Sequence, residues 1–351
     1  MTIRVAVADD SSFIRKALAR LLGGEPGFAL VGSAASGEEL LAHLERWAPD
    51  VVILDLSMPG MGGLATLDRI MAGRPTPVII LSTHSRQDAP ATIEALHRGA
   101  MDFVDKQQYS LVDFEALRAV LVEKIRQVTR REGAAEPAAA EAAEPLPARV
   151  PAPPARNGAV DLVLLGASTG GPLAIETVLR DLGPAVPAPV VVVQHMPAGF
   201  TRAFADRLNA YLPLQVREAA DEEPLAAGTV YIAPGGRHLR VVRRGGELHA
   251  ALADGPEDST HRPSVDVLFV SARAAVGGRA VAVLLTGMGR DGAEGMAALA
   301  GAGGVTIAQD EASSVVYGMP RAAVAAGGAR EVLPLAAIGE RLRELLAPGS
   351  R

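Results

Sequence analysis

The chain has 351 residues, 49% of them apolar and 21% charged, a globular composition long enough for two domains with separate cores. A formal net charge of −6 opposes non-specific binding to nucleic acid, and the lack of any cysteine excludes disulfides, thiolate metal sites and cysteine nucleophiles. No apolar run approaches the roughly 18 residues of a spanning helix, and Met-Thr-Ile-Arg leads straight into a strand pattern, so the expectation is a cytoplasmic protein that does not insert into membrane.

Over the first 125 residues or so, strand-like and helix-like runs alternate. "IRVAVA" reads as a strand, and residues 11–22 follow with Phe13, Ile14, Ala17, Leu18, Leu21 and Leu22 at helical spacing. "FALVGSA", "VVILDL", "VIILS" and "MDFVD" continue the strands, with helical stretches between and after them. This is the pattern of a doubly wound, five-stranded parallel sheet covered by helices on both faces.

Polar groups stand at the ends of these strands, where open α/β sheets place their ligand crevice. Asp9 and Asp10 follow the first strand, Asp55 closes "VVILD", Ser82 closes "VIILS" and Lys106 follows "FVD". Singly, each is an ordinary cap, turn or surface residue. Together, three carboxylates at one point repel one another and invite a hard divalent cation such as Mg²⁺. One carboxylate can then accept a phosphoryl group whose oxygens the lysine and the hydroxyl hold. Residues 1 to about 125 resemble a two-component receiver domain in "VADDSSFIRK", "VVILDLSMPGMGGL", "VIILST" and "GAMDFVDK". The resemblance implies Asp55 as phospho-acceptor, Asp9, Asp10 and Asp55 as the Mg²⁺ site, Ser82 and Lys106 as switch residues, and Phe103 as the aromatic side chain whose rotation accompanies activation. Two departures from that family are Lys106-Gln107, where Lys-Pro and its cis bond are usual, and Gly62, where aspartate is common.

Residues 128–158 lose almost all large apolar side chains. From residue 130 the run "RREGAAEPAAAEAAEPLPARVPAPPARNG" is dominated by Ala, Pro and Glu, and its prolines interrupt any long helix. It reads as a Pro-stiffened linker joining a receiver at 1–127 to a second domain at 159–351.

Beyond the linker the alternation resumes with "DLVLLG", "PVVVVQH", "LQVRE", "TVYIAP", "AVAVLLTG" and "GVTIAQ" as strands, and with helical spacing over 172–182, 201–212, 265–276 and 291–302. "LRVVRR" and "ELHAAL", separated by Gly245-Gly246, read as a β-hairpin inserted into a mainly parallel α/β domain. In "LLGASTGGP" the strand-to-helix turn admits two readings: glycines that cradle a phosphate, or a nucleophile elbow exposing Ser168 beside unpaired helix N–H groups.

A serine nucleophile needs a base that titrates near neutral pH, and seven histidines are present. His43, His84 and His97 lie in the receiver half and read as surface or loop residues, and His249 lies in the hairpin. His238 in "APGGRH" and His261 in "DSTHRPSVD" sit in Gly- or Pro-marked loops; they read as exposed loop residues, with lining of a substrate groove as the alternative. His195 stands directly at the end of the apolar "VVVVQ", on the sheet edge that also carries Ser168. The orienting carboxylate is Asp291, in the glycine-rich turn after "AVAVLLTG". Asp266 is the competitor, and it reads instead as favourable charge at a helix N-terminus. The order Ser, His, Asp differs from that of the α/β-hydrolases.

These turns, with "QHMPAGFTRAFADRL", "YIAPGGRH", "HRPSVDVLF", "TGMGRDGAEGM" and "GMPRAA", resemble the catalytic domain of chemotaxis protein-glutamate methylesterases/protein-glutamine glutaminases, the CheB family, over residues 160 to 348. The resemblance implies Ser168, His195 and Asp291 as the catalytic residues, with Thr169 and Met288 in the oxyanion and substrate region. It further implies methyl-accepting chemoreceptors as substrate and a chemotaxis histidine kinase as phosphodonor. Mg²⁺ is expected in the receiver, no cofactor for ester hydrolysis, and no nucleic acid. The unphosphorylated receiver is expected to cover the catalytic crevice until Asp55 is phosphorylated. Other readings to weigh are a nucleic-acid-binding output domain, a phospho-dependent scaffold, and the same esterase acting on another methylated protein.

Overall fold

Long apolar runs that end in a polar residue need both faces covered, and a parallel sheet between helix layers is the arrangement that supplies this. The computed structural model describes residues 2–82, 88–106, 114–129, 160–256 and 259–347, apart from the side chains of 114–116. The chain divides into two compact units, residues 1–136 and 137–351. The expected linker from residue 130 onward, His84 and Gln107 lie outside the described residues.

The first unit runs β1 (Ile3–Ala8), α1 (Ser12–Gly23), β2 (Phe28–Ala34), α2 (Gly37–Trp47), β3 (Val51–Asp55), α3 (Gly62–Gly73), β4 (Val78–Ser82), α4 (Asp88–His97), β5 (Asp102–Asp105) and α5 (Phe114–Val128). Its five strands are ordered β2-β1-β3-β4-β5, and every pair is parallel. Because the chain steps from β2 back past β1 to β3, a crevice opens at the carboxyl ends of β1 and β3. One helix layer packs Leu18, Leu22, Leu121 and Ile125 onto Val5, Val7, Ile53 and Ile79. Full burial of each such side chain is worth about 1.5–3 kcal/mol. Helix α1 starts one residue later than its apolar spacing suggests, since Ser11 is the N-cap and accepts the Ile14 N–H.

The second unit runs β6 (Leu162–Ala167), α6 (Gly171–Leu182), β7 (Val190–Gln194), α7 (Phe200–Tyr211), β8 (Gln215–Glu218), β9 (Thr229–Ile232), β10 (His238–Arg244), β11 (Glu247–Ala253), α8 (Val265–Val276), β12 (Ala280–Leu284), α9 (Ala293–Gly301), β13 (Val305–Gln309), α10 (Met319–Ala325), β14 (Glu331–Leu333) and α11 (Leu335–Leu346). Seven strands form one parallel sheet in the order β14-β13-β12-β6-β7-β9-β8. From β6 the chain builds outward through β7, then returns to add β12 on the other side, so β6, β7 and β12 flank the switch-point crevice. Strands β10 and β11 form the expected hairpin as a separate antiparallel pair. Its Leu239, Val241, Leu248 and Ala250 pack into the core that holds Leu268 and Phe269 of α8.

Boundaries differ where side chains intervene. The helix expected over 291–302 begins at Ala293, because Gly292 takes a left-handed φ of 93° and leaves Asp291 in the preceding turn. Strand β14 has three residues, too few to show a period in sequence. Among the described residues no helix is long and apolar enough to cross a membrane.

Candidate functional site

The acidic pocket of the first unit forms where the fold brings the ends of β1 and β3 together. One carboxylate oxygen from each of Asp9, Asp10 and Asp55 lies within 4.8 Å of the others. Asp9 and Asp55 are buried and Asp10 is exposed. Lys106, just past β5, reaches in with Nζ 2.8 Å from Asp9 Oδ2 and 3.1 Å from Asp55 Oδ1. Burial pushes the Asp55 carboxyl above its ordinary range against the pull of Lys106, and the charge of Asp9 adds to the rise. A mutually repelling set of hard oxygens, two of the three carboxylates buried, is the donor chemistry that fits a divalent cation such as Mg²⁺. Ser82 ends β4 with Oγ 2.6 Å from Thr92 Oγ1 on α4. Thr92 gives its own proton to the Asp88 carbonyl, so Ser82 is the donor of that pair. Phe103 is buried on β5.

In the second unit, strand register places the candidate site residues. Gly166 pairs with Leu284 of β12, and Ala167 pairs with Gln194 of β7, so Ser168 and His195 are each one step beyond a paired position. Backbone bonds then hold the serine. Its N–H donates to Thr286 O at 3.0 Å, and its carbonyl accepts from Gly171 N–H at 2.8 Å and Gln194 Nε2 at 2.9 Å. Gly170 makes the turn at φ 77°. A Cβ on Gly287 would lie 2.8 Å from Ser168 Cβ and 2.3 Å from Met319 Sδ, so glycine there lets the β12 turn press against the serine.

His195 is mostly buried, and its Nε2 is 2.7 Å from Asp291 Oδ2. An ionised carboxylate only accepts, so Nε2 carries the proton and Nδ1 holds the lone pair of the neutral ring. Nδ1 is buried and has no hydrogen-bond partner among the described residues. Ser168 Oγ makes no hydrogen bond to it.

The Asp291 carboxylate sits on the N-terminus of α8. It accepts from Ser264 Oγ at 2.8 Å, Val265 N–H at 2.7 Å and Asp266 N–H at 3.0 Å, as well as from His195. Burial would raise its pKa, but the bond and charge of His195 and the two backbone donors outweigh burial and hold it well below the usual carboxylate range. Ser264 is also the N-cap of α8, accepting from Val267 N–H at 3.3 Å. Asp266 is in the first turn of α8, as expected, and accepts the Gly295 N–H of α9 at 2.7 Å. Its pKa is raised, chiefly by burial.

Thr169 is buried, and its carbonyl accepts from Thr286 Oγ1 at 2.9 Å. Met288 is exposed, and its N–H donates to no other group among the described residues. Two histidines depart from expectation. His238 opens β10 rather than sitting in an exposed loop, and it is fully buried with its pKa lowered by desolvation. His261 is half-buried and stacks on His195. Sequence reasoning also passed over Thr286, Gln194 and Ser264; of these only Ser264, a serine just before a helical run, carried a local signal.

An acidic strand-end pocket in one unit and a serine, a histidine and an aspartate at three strand ends in the other define a response-regulator receiver joined to an α/β enzyme unit. A family model described as CheB methylesterase matches residues 163–342, and one described as response regulator receiver domain matches residues 5–119. The chain belongs to the CheB methylesterase family. It is 42% identical to protein-glutamate methylesterase/protein-glutamine glutaminase 1 of Xanthomonas campestris pv. campestris over 352 aligned residues, covering 98% of each chain. It is 44% identical to the protein-glutamate methylesterase/protein-glutamine glutaminase of Symbiobacterium thermophilum over 357 residues, covering 99% of this chain and 98% of that one. The second unit is similar to the crystal structure of the Thermotoga maritima CheB methylesterase catalytic domain, at 40% identity and a TM-score of 0.52, covering 54% of this chain and 100% of that chain.

Proposed function

We propose that this chain hydrolyses glutamate methyl esters on chemoreceptors, and deamidates glutamines there, in the cytoplasm, under control of its receiver. Ser168 Oγ attacks the side-chain carbonyl carbon while its proton passes to His195 Nδ1. The tetrahedral oxyanion forms beside the N–H of Met288 and the turn at Thr169. Its collapse breaks the C–O bond, and His195 returns the proton so that methanol leaves; for glutamine the C–N bond breaks and ammonia leaves. Water then attacks the acyl-enzyme, giving its proton to His195, and the regenerated serine takes that proton as the free glutamate departs. Asp291 holds the ring in one tautomer and stabilises the imidazolium that forms at each stage.

In the receiver, Asp55 is the phospho-acceptor for a chemotaxis histidine kinase. Asp9, Asp10 and Asp55 would hold Mg²⁺, which supplies charge neutralisation for the incoming phosphoryl group. Lys106 and Ser82 hold the phosphoryl oxygens, and engagement of Ser82 releases its bond to Thr92. Phe103 is the proposed aromatic switch.

The observation that carries the esterase reading is the buried His195–Asp291 pair, whose Nδ1 has no partner among the described residues, with His195 and Ser168 each one position beyond the paired Ala167 and Gln194. The test is release of volatile methanol from methyl-labelled chemoreceptor membranes. Ser168→Ala reduces it to background while the circular-dichroism spectrum is unchanged. Release near the wild-type rate would overturn the assignment.

A further inference from the structure

The hydrogen bond to Asp291 holds the His195 ring at one corner, and the opposite nitrogen has no partner among the described residues. With Cγ bonded to Cβ and Nε2 bonded to Asp291, the ring can still turn about the line joining those two atoms, which would swing Nδ1 out of its plane. The imidazole of His261 lies against the face of that ring, with centroids 4.1 Å apart and planes 24° from parallel. The backbone that presents His261 is tied on both sides. Ser259 Oγ donates to the His261 carbonyl at 3.0 Å, and Gly236 N–H donates to the Arg262 carbonyl at 3.1 Å. Two positions beyond Arg262, the same segment supplies Ser264, Val265 and Asp266 to the Asp291 carboxylate. Residues 259–266 therefore touch both members of the pair, one through its ring face and the other through its carboxylate.

We infer that His261 is a positioning residue: its flat ring fixes the plane of His195 so that Nδ1 stays directed at Ser168. This rests on the reading of His195 as the base for Ser168. The role asks for a planar side chain and not for a second titrating group, so phenylalanine serves and a non-planar residue does not. Loss of alignment by a fraction of a bond length at the proton-transfer step acts on turnover and leaves receptor binding alone.

The experiment uses the full-length chain and its variants His261→Ala, His261→Phe and His261→Gln, with methyl-labelled chemoreceptor membranes as substrate and melting temperature as the fold control. His261→Ala and His261→Gln lower kcat about 10- to 100-fold with KM within about twofold of wild type. His261→Phe returns kcat to within a few-fold of wild type. Wild-type kcat in His261→Ala would overturn the inference, and so would a His261→Phe variant as slow as His261→Gln. Should His261→Ala fail to fold, the comparison of Phe with Gln, two side chains that both fill the site, decides alone. Ser168→Ala run alongside separates the two levels: methanol release that survives in it sinks the catalytic reading, whereas a dead Ser168→Ala beside a fully active His261→Ala sinks only the positioning role.

Discussion

Asp291 and Asp55 are both buried carboxylates, yet their surroundings move them in opposite directions. Asp291 accepts four hydrogen bonds and is held low, while Asp55 is raised by burial and by Asp9 against the pull of Lys106 and a backbone bond from Ser57. The consequences for stability have opposite sign. A depressed carboxylate contributes stability that is present above its unfolded pKa near 3.8 and lost as pH falls toward the depressed value. Asp291→Asn is therefore destabilising at pH 7, and the deficit shrinks as pH falls below about 4. A raised carboxylate contributes stability at low pH that is lost as pH rises through the raised value, so Asp55→Asn is stabilising at pH 7 and neutral at pH 3. Melting temperatures of the two variants against wild type across pH 3–7 check both signs; curves that move together would contradict them. Asp291→Asn also lowers kcat by about 10³- to 10⁴-fold, because the amide no longer selects the tautomer with Nδ1 free. At this scale Ser168, His195 and Asp291 were legible because each closes or follows a long apolar run. His238 was not: Gly235-Gly236 reads as a loop, whereas Gly236 at φ 84° makes the turn that lets His238 pair with Ala253 inside the hairpin. His261 was illegible for another reason, since its partner is 66 positions away and no local pattern announces a ring stack.

At the scale of elements, the N-terminus of α8 acts as a receptor for the Asp291 carboxylate, and Ser264 serves helix and site at once. Ser264→Ala removes the helix cap and one donor to the carboxylate together. The expected cost is about 1 kcal/mol of stability with a several-fold loss of kcat, and Ser264→Thr recovers both; chemical denaturation and methanol release measure them. A different element effect governs the turn after β12. Gly287→Ala would drive a methyl group toward the Met319 sulfur and Ser168 Cβ, so the turn must move away from the serine. We expect more than a tenfold loss of kcat with a melting temperature reduced by only a few degrees, because the Met319 side chain can yield whereas the serine's position is tied to the turn. Most elements were readable from apolar periodicity, as was the hairpin from its Gly-Gly pair, whereas the three-residue β14 was not. What periodicity does not carry is where a helix begins, which Ser11, Gly292 and Ser264 decide through hydrogen bonds and backbone angle.

At the scale of the whole molecule, the proposed function assigns one chemistry to each of the two sheets. Phosphoryl acceptance needs a charged, cation-holding pocket with a lysine, and ester hydrolysis needs a serine whose base is neutral. A phosphoryl group on Asp55 reaches the second unit only if it favours one of two states that differ in esterase rate, and a tenfold change in their ratio corresponds to about 1.4 kcal/mol. The reading of the receiver as a restraint therefore makes a three-part prediction. A small-molecule phosphodonor with Mg²⁺ raises methanol release by the full-length chain. Asp55→Asn leaves the basal rate unchanged and abolishes the rise, since it removes the acceptor and nothing in the second unit. The fragment 159–351 releases methanol at least as fast as the unphosphorylated chain and ignores the phosphodonor. A fragment slower than the unphosphorylated chain would mean that the receiver assists the esterase instead of restraining it, and a rise that survives Asp55→Asn would place the phosphoryl group elsewhere.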